Sequence, residues 1–285
     1  MPTFLSLLSK LIAAILVSAI TGAIFAVVFN NTVLNSHYLE GQLQTTNSYD
    51  ALSVALTNDL SKQMGASGNP QVTAELQKIL TPAVLKQNIN TALNEFQEYA
   101  QGKGPAPVIN LSSLASQLQT AGIPLTQNNE LSQPITLGSS NPSTTSTSQG
   151  LSRTFDHVRL GSIILSILLT IVLLVVSWER HRWAALPDVV ISVGVIVCLL
   201  ALIFALTPDL ASHFIHFNSG SNAFAVIGDK VATSISNDLA KRFAIIGGVC
   251  LAAGIIGRIL VGRFRKKPNA LKSTLNGAPK AAPAR

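Results

Sequence analysis

The sequence predicts an all-α integral membrane protein, with four transmembrane helices plus a small extracytoplasmic helical bundle. Three observations lead there. The chain is 48% hydrophobic and only 12% charged, where a soluble domain carries about 25% charged residues. The missing charge leaves four runs free of Asp, Glu, Lys, Arg and His: Leu11–Phe29, Leu160–Trp178, Val189–Thr207 and Phe243–Gly257. Runs of this order match the ~20 apolar residues that cross a bilayer core. Between the first and second runs lies a long polar segment in which apolar residues recur at helical spacing.

The expected order follows the charge. Residues 1–10 form a cytoplasmic N-terminus and 11–29 the first span. Residues 30–121 form the extracytoplasmic domain, and 122–157 a Ser/Thr/Pro/Gly tether. Spans follow at 158–178 and 188–207, joined by a cytoplasmic turn at 179–187. An outer loop with a helix covers 208–242, the fourth span 243–262, and a basic tail 263–285. The first run has Lys10 before it, as a signal peptide would, but it continues through Val27, Val28 and Phe29 with no small-residue cleavage site. It reads as an uncleaved signal anchor.

Orientation is set by Lys and Arg near the span ends. The sequence after the fourth run, "RILVGRFRKKPNALK", is strongly basic, and the turn "WERHRW" carries Arg180 and Arg182. The segment between the first two spans has more Asp and Glu than Lys and Arg. Both termini are therefore expected in the cytoplasm of a bacterial plasma (inner) membrane. Trp178 and Trp183 would anchor the interface. Arg180, Arg182, Arg263, Arg265, Lys266 and Lys267 would meet anionic lipid headgroups. The high pI belongs mostly to this tail, and no nucleic-acid fold signature accompanies it. Cys198 and Cys250 both fall in apolar runs, where they act as small hydrophobes.

Within the outer segment, "VLNSHYLEGQLQ" is expected to continue the first span as helix until Gly41 and "QTTNS" interrupt it. Tyr49, Leu52, Leu56 and Leu60 share one face of a second helix, which "GASGNP" ends. "TAELQKIL" is a short helical pattern. The clearest helix runs from a Thr81 cap and Pro82 at the first position to a Gly102 stop. Its stripe of Leu85, Ile89, Ala92, Leu93, Phe96 and Ala100 needs burial. Its expected partners are the 49–64 helix and "NLSSLASQLQTAG", with Asn110 as cap and Leu111, Leu114 and Leu118 inward. "GSSNPSTTSTSQG" has no apolar period and reads as a flexible tether.

Two stretches look alike. One runs from Ser36-His37-Tyr38 to Asn58-Asp59-Leu60, the other from Ser212-His213-Phe214 to Asn237-Asp238-Leu239. Each follows a span that crosses in the same direction, as parallel copies of one unit would. Small residues also recur at every fourth position: Ala14, Ser18, Gly22 and Ala26 in span one, and Ala240, Ala244, Gly248 and Ala252 at span four. Such ladders let backbones approach closely. Spans one and four are expected to touch, or one of them to mediate a homodimer. Span two is bulky throughout and suits a lipid-facing position.

The span interiors carry no ionisable side chain, which argues against ion-coupled transport. No His-Glu-x-x-His, Gly-x-Ser-x-Gly, Walker A or Gly-x-Gly-x-x-Gly pattern is present. The chain is therefore read as no enzyme and as needing no cofactor. His37, His157, His213 and His216 fall near the outer interface, and His213 and His216 are three apart. They are the only candidate metal ligands or pH-sensitive groups, against a plainer interfacial belt with Phe214 and Phe217.

The run "LTPAVLKQNINTALNEFQEYAQGKGPAPVINLSSL" resembles an outer-domain segment of bacterial four-span membrane proteins of no assigned activity. The resemblance covers about a third of the chain, implies a helical outer domain, and brings no site residue with it. The expected role is a non-enzymatic extracytoplasmic interaction or sensing subunit, bound to the bilayer and to a membrane-protein partner or a second copy. The Leu85–Phe96 face, if only partly covered, would be its binding surface. The alternatives are a transport or channel accessory subunit and a membrane-interface metal-binding protein.

Overall fold

The computed structural model describes residues 2–63, 70–121, 135–136, 151–176, 182–207 and 222–265. These are nearly all helical. Helices α1 (Pro2–Asn30), α2 (Ser36–Thr45), α3 (Ser48–Gln63), α4 (Pro70–Ile79) and α5 (Pro82–Ala100) are followed by strand β1 (Val108–Ile109) and helix α6 (Ser112–Thr120). Strand β2 (Ile135–Thr136) and helices α7 (Leu151–Val176), α8 (Arg182–Leu206) and α9 (Asn222–Arg265) complete the described chain. Among the described residues, four helices are long and apolar enough to cross a membrane, at Leu7–Asn30, Arg153–Val175, Ala185–Leu206 and Ile227–Arg263. The chain divides into two compact units.

One unit comprises Met1–Thr21, Ser162–Leu199 and Ala244–Arg285. Here α8 and α9 run antiparallel with their backbones in contact. A Cβ at Gly247 would lie 2.6 Å from Cys198 Sγ and 2.9 Å from Cys198 N. At Gly254 it would lie 2.9 Å from Ile191 N, and at Gly194 2.8 Å from Leu251 N. Asp188 and Arg258 form an ion pair at 3.3 Å beside the approach of Gly257 to Pro187. The part of α7 in this unit buries Leu173 and exposes Ile163, Ile164, Leu165, Ile167, Leu168, Ile171 and Val175.

The small residues that do this packing are not those of the expected ladder. Ala244, Gly248 and Ala252 are exposed, and a Cβ at Gly248 would meet nothing within 4 Å. A strict fourfold spacing drifts around a helix of 3.6 residues per turn. The face in use follows i, i+4, i+7 instead, at Gly247, Leu251 and Gly254. In span one, Ala14 and Ser18 are exposed as well, and Ala26 is buried.

The other unit comprises Gly22–Gly161 and Leu200–Phe243. Its helices α2 to α6 pack on one another. Thr81 accepts from Val84 N at 3.4 Å to cap α5, Pro82 opens it, and Gly102 closes it at φ +75°. Tyr49, Leu52, Leu56 and Leu60 on α3 are buried, as are Leu111, Leu114 and Leu118 in and before α6. The α5 stripe is covered by the chain itself. Leu85, Ile89, Ala92, Leu93 and Ala100 are buried and Phe96 is half-buried. The expected binding face at Leu85–Phe96 is thus a core, closed by α2, α3 and β1.

Several boundaries differ from expectation. The first span does not continue outward. It stops at Asn30, where Thr32 Oγ1 turns back to Val28 O at 2.7 Å and Asn35 Oδ1 accepts from His37 N and Tyr38 N to begin α2. Gly41 lies inside α2, which ends beside Asn47 at φ +52°. Asn110 does not cap α6 as the residue at its start. It accepts from Ser112 N at 2.9 Å from one position earlier. Residues 151–157, expected in the tether, are the first turns of α7, while β2 pairs antiparallel with β1 through Ile135 and Thr136. The rest of the tether lies outside the described residues. The turn at 179–187 is shortened because α8 starts at Arg182 and carries Pro187 inside it.

Within this unit, five phenylalanines from four helices meet. Phe25 lies 5.5 Å from Phe29, 6.2 Å from Phe155 and 6.0 Å from Phe243, and Phe243 stacks on Phe204 at 5.7 Å. Spans one and four therefore do touch, through rings rather than through ladders.

Gly247→Ala is expected to destabilise the protein by ~1–3 kcal/mol through overpacking, whereas Gly248→Ala is expected to be neutral or mildly stabilising. Thermal unfolding of both variants in one detergent measures the difference. Equal losses would refute the close contact of α8 with α9.

Candidate functional site

Helix α9 has 44 residues, about 66 Å at 1.5 Å per residue. A hydrocarbon core is ~30 Å thick, so about half of the helix must find other surroundings. Its first half supplies them itself. Ile227, Val231, Ile235 and Leu239 are buried along one stripe, while Asp229, Lys230, Lys241 and Arg242 are exposed.

On the flank of that stripe, α2 and α9 exchange polar contacts. Tyr38 Oη donates to Asp238 Oδ2 at 2.7 Å. Arg242 Nε donates to the same oxygen at 2.8 Å, and its Cζ lies 5.3 Å from the Tyr38 ring centroid. One turn away, Ser234 Oγ donates to Gln42 Oε1 at 2.7 Å. The spacing explains the match. Tyr38 and Gln42 are i, i+4 on one helix, and Ser234, Asp238 and Arg242 are i, i+4, i+8 on the other, so each set forms one row. Deeper in, Ser236 Oγ satisfies the Phe204 carbonyl near the end of α8 at 2.8 Å.

Burial pushes the Tyr38 phenol above its ordinary range, and its hydrogen bond to the Asp238 carboxylate pushes it further. The Tyr49 phenol is raised too, by burial and then by the Glu40 carboxylate, and it donates to Asn90 Oδ1 at 2.9 Å. Glu40 itself is held below the usual carboxylate range, first by its hydrogen bond with Lys86 and then by Asn90. Lys86 Nζ lies 3.2 Å from Glu40, and Ser36 Oγ donates to Gln97 Oε1 at 2.6 Å. Thus α2 is fastened to α5 on one side and to α9 on the other.

The sequence singled out other residues as sites. His37 and His157 are exposed, and His213 and His216 lie outside the described residues. Among the described residues, no three His, Cys, Asp or Glu come together to hold a metal. Arg263 is exposed near the end of α9, Arg265 is its last residue, and Arg182 is the first of α8. Arg180, Lys266 and Lys267 lie outside the described residues.

The Tyr38–Asp238–Arg242 cluster was missed as a site, although Tyr38 and Asp238 stand inside the repeated motifs. The aromatic of the first Ser-His-aromatic meets the aspartate of the second Asn-Asp-Leu. The two Asn-Asp-Leu helices also bury the same positions. Residues 52–62 and 231–241 follow one burial order, with Leu52, Leu56 and Leu60 matching Val231, Ile235 and Leu239. Asp59 and Asp238 are both half-buried in it.

Comparison with known proteins places the chain in no family: no family model matches it, and no curated protein and no solved structure does so either. The reading of the site rests on its geometry.

Tyr38→Phe is expected to lower stability at neutral pH by ~1–2 kcal/mol, the lower part of the range for a hydrogen bond to a charged group, because the pair is only half-buried. A phenol raised in the folded state stabilises fully below its unfolded pKa of ~10 and loses that contribution as pH rises through the folded value. Above pH ~10, stability should therefore fall more steeply in the wild type than in Tyr38→Phe. Ultraviolet titration should show one late-ionising phenol fewer in the variant. Identical titrations of the two proteins would contradict the buried hydrogen bond.

Proposed function

We propose that the chain is a non-enzymatic subunit of a bacterial plasma membrane, whose extracytoplasmic helical bundle meets a partner or ligand and passes that event to the last membrane-crossing helix. The observation that carries this reading is the contact of Tyr38 and Gln42 with Asp238 and Ser234. It ties the bundle to a helix that continues unbroken to Arg265. A shift of α2 would thereby bear on α9 at Ser234 and Asp238.

The basic turn and tail support cytoplasmic termini and an outer bundle. With the α5 stripe closed, a surface open to a partner is the polar outer side of α6, where Ser113, Ser116 and Gln117 are exposed. Neutral hydroxyl and amide groups suit a protein or polar ligand bound by hydrogen bonds. The outward Ala244–Gly248–Ala252 row is where a membrane-protein partner or a second copy would meet the span.

A Ser116→Cys variant tests the placement. A membrane-impermeant thiol reagent should label it in intact cells, whereas Cys198 and Cys250 in the apolar spans stay unlabelled. Labelling of Ser116→Cys only after the cells are broken would put the bundle in the cytoplasm and end this reading. Mass spectrometry of protein purified from native membranes in mild detergent then separates the two roles. A stoichiometric companion marks an interaction subunit, and a companion-free oligomer marks a ligand sensor.

A further inference from the structure

Cys198 and Cys250 are the only cysteines of the chain. Both lie in one compact unit, on the two helices whose backbones touch. The sulfur of Cys198 is directed at α9. A Cβ at Gly247 would lie 2.6 Å from it, so glycine is what leaves room for that sulfur against the α9 backbone. Cys250 comes three residues after Gly247 on the same helix. Side-chain positions three apart share a helix face, with Cβ atoms ~5–6 Å from each other. The Cys250 Cβ is therefore within roughly 8 Å of the Cys198 sulfur by that spacing. The two sulfurs are near enough to act on each other electrostatically. Both cysteines are free, and both are half-buried.

Two thiols facing one another across a helix contact form a small ligand set with a narrow choice of ion. Thiolate sulfur selects soft metals. A structural zinc site takes four ligands, and among the described residues no group of three His, Cys, Asp or Glu forms around this pair. A monovalent d10 ion such as Cu(I) is satisfied by two sulfurs in line. Metal–sulfur bonds of ~2.3 Å each would hold those sulfurs ~4.6 Å apart, a span that fits the spacing of the two side chains. Charge agrees with size. One thiolate and one thiol around a monovalent ion make a neutral unit, and an apolar surround disfavours any net charge.

We propose that Cys198 and Cys250 together bind one soft monovalent ion, of the class of Cu(I), as a bridge between α8 and α9. Binding forms two metal–sulfur bonds, breaks one S–H bond and releases one proton, and no electron is transferred. The ion ties the two helices beside the contact that Gly247 already makes. The histidines take no part in this site, and neither does the α2–α9 contact.

The test uses full-length protein in detergent, kept free of oxygen and titrated with Cu(I) against a coloured Cu(I) chelator. The protein should withdraw one ion per chain. Cys198→Ser and Cys250→Ser should each bind roughly 100-fold or more weakly, since each leaves the ion a single soft ligand. Zn(II) should not compete. Cu(I) should raise the unfolding temperature of the wild type and of neither variant. X-ray absorption at the copper edge of the wild type is a second measurement that needs no variant, and it should show two sulfur neighbours with no nitrogen or oxygen. Full-strength binding by either variant, two ions per chain, or nitrogen and oxygen neighbours at the copper would overturn the inference. So would a native mass showing that the ion joins two copies of the chain.

Discussion

Phe243 is the point on which the two environments of this protein turn. It is fully buried, stacked between Phe25 and Phe204, on a helix that is water-facing before it and lipid-facing after it. Rings from α1, α7, α8 and α9 converge there, so every long helix is fixed at that level. Aromatic side chains suit the task. They bury large areas at little rotamer cost, and offset stacking adds to the area term.

Each unit is held together by a different force. In the bundle, water drives Leu52, Leu56, Leu85, Leu114 and Leu118 inward, and caps such as Thr81 and Asn35 fix where the helices start. Along the spans, lipid is as apolar as leucine, so there is no comparable drive. Close approach replaces it. Gly194, Gly247 and Gly254 bring the α8 and α9 backbones into contact, where dispersion between many atoms accumulates. Bulky Ile245, Val249, Ile255 and Ile256 then point outward without penalty. An exposed isoleucine is a liability in the bundle and an ordinary residue on a span.

This division also decides what the sequence could show. Uncharged runs and single-face stripes report solvent, and they located the four apolar helices and the buried faces of α3, α5 and α6. Breaks set by side chains were harder to see. The stop after Asn30 depends on Thr32 and Asn35 competing for backbone groups, and a helical reading of "VLNSHYLEGQLQ" has no access to that competition. Pair geometry was harder still. A ladder of Ala and Gly shows that a helix can be approached, but not from which side, and only the Gly247–Cys198 contact settles the face. Tyr38, Asp238 and Arg242 were visible as repeated motifs and ordinary charges. The hydrogen bond of Tyr38 to Asp238 joins residues 200 apart in sequence, a distance that no local pattern reports.

The matched burial of 52–62 and 231–241 sharpens the comparison, because one amphipathic pattern has two outcomes. Each helix buries a Leu, Ile or Val stripe, half-buries an aspartate and exposes the asparagine before it. After Lys62 the sequence reads Gln-Met-Gly-Ala-Ser-Gly-Asn-Pro; after Lys241 it reads Arg-Phe-Ala-Ile-Ile-Gly-Gly-Val. Gly65, Gly68 and Pro70 are poor helix formers in water, and α3 is described as far as Gln63. Gly247 and Gly248 do not stop α9. In an apolar surround, breaking the helix would strand backbone groups with no water to bind them. The same two glycines that would weaken a helix in the bundle therefore sit within a span, and one of them becomes its closest packing contact. What distinguishes the two helices is the surroundings of the residues that follow the shared pattern. Phe243, packed among the rings of the other three long helices, is the first of those residues to be buried on α9.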